Sequence, residues 1–147
     1  MGIMFIGCTS NPVYKNESEK NLAINLKVDE RNGLFNSIDI AAGVNDIDSQ
    51  CQPHYRGYQT LSPGRNEMGL APGILTNLVI EVAKSKYRSG SSYSRGTLIT
   101  PLPGKRYEID ASYLDNMFDF RLYEITGKKR KPLKLLSLTE CKTKQGG

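Results

Sequence analysis

The side chains best suited to nucleophilic or soft-metal chemistry are few in this chain of 147 residues: one histidine, His54, and three cysteines, Cys8, Cys51 and Cys141. Two of them stand close together in Cys51-Gln-Pro-His54, a C-x-x-H spacing that brings a thiolate and an imidazole within one turn of chain. Structural zinc takes about four protein ligands, and no second pair lies nearby in the sequence. No metal site is expected, and His54 reads as an exposed loop residue. A Ser-His-Asp or Cys-His centre would have to be built on the same histidine. No G-x-S-x-G elbow, P-loop or dinucleotide fingerprint occurs. Asp46-Ile-Asp48-Ser-Gln50 places oxygens at every other residue, as a calcium loop does, but lacks the glycine and closing glutamate of such loops. These read as solvated loop acids. No catalytic residue, no cofactor and no small-molecule substrate is expected, which makes the chain a non-enzyme.

Charge carries more content than nucleophiles. The formal net charge is +5, distributed unevenly. Residues 1–67 hold six basic and eight acidic side chains, and residues 68–147 hold fourteen basic and seven acidic. In the basic half, Lys84, Lys86, Arg88 and Arg95 surround a Ser/Gly-rich stretch, and Lys128, Lys129, Arg130 and Lys131 are consecutive. Such clusters hold phosphates or other anions, each cation contributing about 1 kcal/mol near an anionic surface. The plainer reading is solubility supplied by exposed hairpin tips. Tyr87 and Tyr93, interleaved with the cations, have the flat faces on which bases stack.

Phe5-Ile6-Gly7-Cys8, with polar Thr9-Ser10-Asn11 after it, resembles the lipobox of bacterial lipoproteins. That resemblance implies that Cys8 receives a lipid and becomes the mature N-terminus. Met1 to Gly7 is then the remnant of a signal peptide, although it carries no Lys or Arg and its apolar core is only Ile3 to Ile6. The bland alternative makes Ile3 to Ile6 an edge strand and Cys8 a buried thiol. Under the lipoprotein reading, acylation uses Cys8 and leaves Cys51 and Cys141 to form a disulfide in an oxidising compartment; otherwise the three are unrelated cytosolic thiols. Thr9 after the cysteine implies, by the same resemblance, sorting to the outer membrane. Residues 8–20 become the lipidated cysteine and a polar tether.

The elements that follow alternate with a period of two, which is the spacing of strands. Leu22, Ile24, Leu26 and Val28 share one face. Asp29 to Gly33 has turn chemistry, with Asn-Gly at its end, so Leu22 to Ala42 reads as a hairpin. Tyr55 to Leu61 is a short strand, Ser62-Pro63-Gly64 and Ala71-Pro72-Gly73 are turns, and Leu75 to Ala83 is a strand with Leu78, Ile80 and Val82 on one face. Lys84 to Gly96 is expected to be an exposed loop. Thr97 to Leu102, Arg106 to Tyr113 and Met117 to Ile125 follow as strands, Gly127 to Pro132 as a basic loop, and Leu133 to Leu138 as the last strand. Residues 21–142 thus form one domain with a short tail over 143–147. The fold class is all-β, a small antiparallel β-sandwich of about seven strands, immunoglobulin- or transthyretin-like. Pro101 to Ile109 looks like the Pro-Gly turn and Tyr-containing strand of small β-sandwich modules in envelope lipoproteins. Burial should concentrate on Leu22, Ile24, Leu26, Ile38, Ile40, Leu78, Ile80, Val82, Ile109, Phe118, Phe120 and Leu122.

Two functions fit these features. The first is a non-catalytic envelope lipoprotein, held to the periplasmic face of the outer membrane through Cys8, that binds another envelope protein or an anionic surface, or serves as an accessory subunit of an envelope assembly. The second is a cytosolic or phage-type β domain that binds nucleic acid through its basic C-terminal half. The first ranks higher, because the lipobox-like motif and the odd cysteine count point to the same compartment, where Tyr87 and Tyr93 would rarely meet nucleic acid.

Overall fold

The computed structural model describes residues 13–16, 19–29, 36–86, 89–115 and 117–141, without the side chains of Asn36, Lys86 and Ser89. Cys8, Tyr87 and Arg88 lie outside the described residues, as do the expected signal remnant and the tail over 143–147. Nine strands are described: β1 (Leu22–Val28), β2 (Asn36–Ile47), β3 (Pro53–Leu61), β4 (Gly64–Met68), β5 (Thr76–Lys86), β6 (Ser89–Ile99), β7 (Arg106–Leu114), β8 (Met117–Thr126) and β9 (Lys129–Leu133). They form two sheets, one ordered β9-β8-β7-β1-β4 and the other β3-β2-β5-β6. The sheets enclose one apolar core, so the chain is an all-β sandwich.

Alternation builds that core. Leu78, Ile80 and Val82 of β5 are fully buried, as are Ile24 of β1 and Ile109 and Tyr113 of β7. Phe120 and Leu122 join them from β8, Ile40, Ala42 and Val44 from β2, and Ile38 and Phe118 pack at its border. Each Val, Leu, Ile or Phe so buried is worth about 1.5–3 kcal/mol against exposure. The twelve residues expected inside are therefore inside or at the rim.

Pairing departs from expectation in several places. Leu22 to Ala42 is not a hairpin: β1 pairs antiparallel with β4 and parallel with β7, while β2 pairs with β3 and β5. Two apolar strand faces can be satisfied across a sandwich as well as side by side, and periodicity does not distinguish the two. Among the described strands there is thus one parallel pair, and they number nine rather than about seven. Lys84 to Gly96 is not a loop, since β5 and β6 pair without interruption from Thr76↔Ile99 to Lys86↔Ser89. Serine and glycine are weak strand formers, but the apolar β5 beside them imposes the register. Close approach is part of this: a Cβ on Gly96 would lie 2.8 Å from the Leu78 carbonyl oxygen. Nor is Gly127 to Pro132 a loop. Gly127, at φ 60°, lets a tight turn pass directly into β9, and Pro132 is tolerated because β9 is an edge strand. The expected strand over Leu133 to Leu138 ends at Leu133, and one helical turn follows over residues 138–141. β4, which begins at Gly64 (φ 104°), replaces part of an expected turn region.

Residues 13–16 do not behave as a tether. Val13 bridges to Tyr58 in parallel and the Tyr14 amide donates to the Tyr58 carbonyl at 2.8 Å. The Tyr14 ring is buried in the main core, with its hydroxyl donating to the Gly69 carbonyl at 2.8 Å. Burial raises the Tyr14 hydroxyl pKa above its ordinary value, with nearby Arg56 opposing that shift.

Candidate interaction surfaces

Cys51 and Cys141 are joined by a disulfide with Cα atoms 6.1 Å apart. The bridge fastens the β2–β3 turn to the C-terminal segment and sits in a second apolar cluster with Ile47 and Leu98, against which Leu75, Leu136 and Leu138 pack. The segment is also zipped onto β6, because the Leu98 amide donates to the Leu136 carbonyl at 2.8 Å and the Leu136 amide to Thr97 Oγ1 at 3.1 Å. Cys51 reaches the bridge with φ 60°. Asp48 organises that unusual turn. Its Oδ1 accepts the amides of Gln50 and Gln52 at 2.9 Å each, and its Oδ2 lies 2.7 Å from His54 Nε2. The His54 hydrogen bond, followed by the Gln52 amide, holds the Asp48 carboxyl below the usual carboxylate range. Asp46 pairs with Arg56 at 2.7 Å. The acids of the calcium-like run are thus surface residues with protein partners. Among the described residues no three His, Cys, Asp or Glu side chains are grouped to hold a metal.

Of the eight cations expected to form one surface, those with described side chains are dispersed. Lys84 continues the inward parity of Leu78, Ile80 and Val82 and is buried, with Nζ 5.4 Å from the Tyr113 ring centroid. A cation within about 6 Å of a ring face is attracted by its quadrupole, which offsets part of the cost of burying the charge at the rim. Arg95 faces the same side from β6, and its guanidinium donates to the Phe118 carbonyl at 3.3 Å across the sandwich. Lys86 and Arg88 have no described side chains. Arg130 is neither in a loop nor available as a free cation: it pairs with Asp110 at 2.9 Å and Glu108 at 3.2 Å and stacks 3.9 Å over Tyr123. Arg65 and Asn25 complete this network on the outer face of the five-stranded sheet. Lys128, Lys129 and Lys131 are exposed at the β8–β9 hairpin. Strand parity sets Arg130 on the opposite face of β9 from Lys129 and Lys131, so the run of four cations is divided.

The outer face of the four-stranded sheet carries a groove that the residue-by-residue reading missed. It encloses about 710 Å³ and is lined by Ala41, Gly43 and Asn45 of β2, Val79 and Glu81 of β5, and Tyr55 and Tyr58 of β3. A bulge between Val44 and Asn45 sets Arg56 out of register and brings both tyrosines to this face, against simple alternation. Gly43 leaves the floor low, and a Cβ there would lie 3.9 Å from the Tyr55 ring. Partial burial, and then Tyr58 and Glu81, raise the Tyr55 hydroxyl pKa above its ordinary value, so it remains a neutral donor. The small outward series Ala41-x-Gly43 was a visible signal for such a floor.

Fold and surfaces together define a disulfide-bonded β-sandwich with open sheet faces. No protein-family model matches the chain, and no curated protein matches it.

Proposed function

We propose that the chain is a non-catalytic binding module of the bacterial envelope, anchored by a lipid on Cys8 and presenting its β-sandwich to a protein partner. The observation that carries this reading is the Cys51–Cys141 bridge. Structural disulfides persist in oxidising compartments and are rare in a cytosol, and this one accounts for two of the three cysteines. Cys8, which stands in the lipobox-like Phe5-Ile6-Gly7-Cys8, is then the one left for modification. By resemblance, Thr9 directs the product to the outer membrane. The alternative, nucleic-acid binding through the basic half, loses Lys84 to the sandwich interior and Arg130 to Asp110 and Glu108. Lys128, Lys129 and Lys131 stay available to an anionic surface.

Fractionation of cells expressing the gene from its native locus tests the anchor. The chain is expected in the outer-membrane fraction, and Cys8→Ser should release it to the soluble fraction with its fold unchanged. Equal partitioning of the two forms would count against a lipid at Cys8.

A further inference from the structure

Four of the described strands form the sheet edges, and three of them are blunted. β3 is covered at Tyr58 by Val13 and Tyr14. β4 has five residues; Asn66 folds back onto the Ser62 and Gly64 carbonyls, and Gln59 takes the Glu67 carbonyl. β9 also has five residues and is charged, with Lys129, Arg130, Lys131 and then Pro132. Short length, charge, proline and covering chain are the usual protections of an edge. β6 has eleven residues, all of Gly90 to Gly96 are exposed, and that stretch contains no lysine and no proline. Its one described strand partner is β5.

The geometry points to the Gly90–Gly96 edge of β6 as a docking site for an extended, acidic segment of a partner polypeptide, added as an antiparallel strand. The orientation of the backbone is fixed by Leu98, whose amide points away from β5 to the Leu136 carbonyl. Because N–H and C=O of one residue point to the same side and the side alternates along a strand, Gly90, Ser92, Ser94 and Gly96 turn both groups toward the edge away from β5. The chain's own C-terminal segment thus already occupies this edge at Leu98, and the four positions beyond it continue the same row. Their side chains are hydrogen or CH2OH and do not obstruct an arriving strand. Arg95 and the 43% exposed Tyr93 face the core side of the sheet, where Arg95 reaches the Phe118 carbonyl and Tyr93 lies 5.7 Å from the Tyr113 ring, and their exposed parts supply selectivity. Directly opposed residues on neighbouring strands interact most, so a partner should carry Asp or Glu against Arg95 and an aromatic or β-branched residue against Tyr93. In antiparallel order that reads acidic-x-aromatic. A second copy of this chain is less favoured, since each copy carries a net charge of +5 and like charge opposes self-association. This inference rests on reading the chain as a protein-binding module, but not on the lipid.

The test uses 15N-labelled protein and the blocked peptide Thr-Val-Asp-Val-Tyr-Val-Thr as probe. In the free protein, the Ser92 and Ser94 amides should exchange rapidly and those of Ser91 and Tyr93 slowly. Titration should shift residues 90–96 and slow exchange at Ser92 and Ser94. Ser94→Pro removes an outward N–H, a change that edge strands tolerate, and should weaken binding at least tenfold, whereas Ser94→Ala should not. Arg95→Glu should weaken binding several-fold, with recovery when the peptide Asp is replaced by Lys. A peptide N-methylated on the amides that face β6 should not bind, which reads the same contact without altering the protein. Peptide binding that survives Ser94→Pro, shifts confined to the Tyr55 groove, or no shift at millimolar peptide would overturn the assignment. A dimer of the free chain that Ser94→Pro dissolves would overturn the choice of partner. A chain found unlipidated in cells leaves each of these results standing.

Discussion

Removal of the Cys51–Cys141 bridge has a cost that follows from the distance it spans along the chain. The two residues are 90 apart in sequence, and in the chain-entropy model a closed loop of that length removes about 4–5 kcal/mol of unfolded-state freedom at 25 °C. Alanine is the appropriate replacement at both positions. Both cysteines are buried beside Ile47 and Leu98, where a serine hydroxyl would add a desolvation cost of its own. A domain of this size loses roughly 3–5 °C of melting temperature per kcal/mol, so Cys51→Ala/Cys141→Ala should melt about 12–25 °C below the oxidised protein by circular dichroism. Reduced wild-type protein should fall to a similar value. The loss should begin locally: without the bridge, the Leu98–Leu136 hydrogen bond and the helical turn over residues 138–141 should lose exchange protection first. A double variant melting within about 2 °C of the oxidised protein would refute the reasoning, because it would mean that the cross-link does not restrict the unfolded chain.

Phe120→Ala should cost about 3–5 kcal/mol through the cavity it leaves between the sheets, measurable by urea denaturation. Gly96→Ala should destabilise despite its small size, because the new Cβ meets the backbone oxygen of Leu78 at 2.8 Å; unchanged stability would show that β5 and β6 can separate freely. Asp48 has a folded pKa held below its unfolded value by His54 and the Gln52 amide. Its contribution is therefore present above the unfolded pKa of about 4 and is lost as pH falls through the folded value. The β2–β3 turn should loosen at that acid limb, and Asp48→Asn should abolish the pH dependence of the Gln50 and Gln52 amide shifts. Replacing Lys128, Lys129 and Lys131 with Ser should reduce association with anionic vesicles at low salt, an attraction screened within about 8 Å at physiological ionic strength.

The core was legible because long strands such as β5 and β7 bury one complete face, and only one parity of apolar residues satisfies that. The same parity contained information that composition obscured. Lys84 follows Leu78, Ile80 and Val82 at the same spacing, yet its charge and its Ser/Gly neighbours suggested a loop. Arg130 and its neighbours share a run of sequence but not a face of the sheet. Partnering between strands was not legible: β1 and β2 have apolar faces that fit equally well side by side or across the core. The C-terminal leucines were misread for a related reason. Leu133 and Leu135 pack on the main core, whereas Leu136 and Leu138 pack on the cluster around the disulfide, so together they show no single period. The Tyr55 and Tyr58 groove depends on the bulge at Arg56, and a bulge has no period to read.

The identity of the mature N-terminus tests the central claim most directly. Intact-mass and peptide mass spectrometry of the protein purified from its native host should find Cys8 as the first residue, carrying diacylglyceryl and acyl groups, with Met1 to Gly7 absent and Cys51 linked to Cys141. An unmodified Cys8 in a chain that still begins at Met1 would contradict the envelope-lipoprotein account.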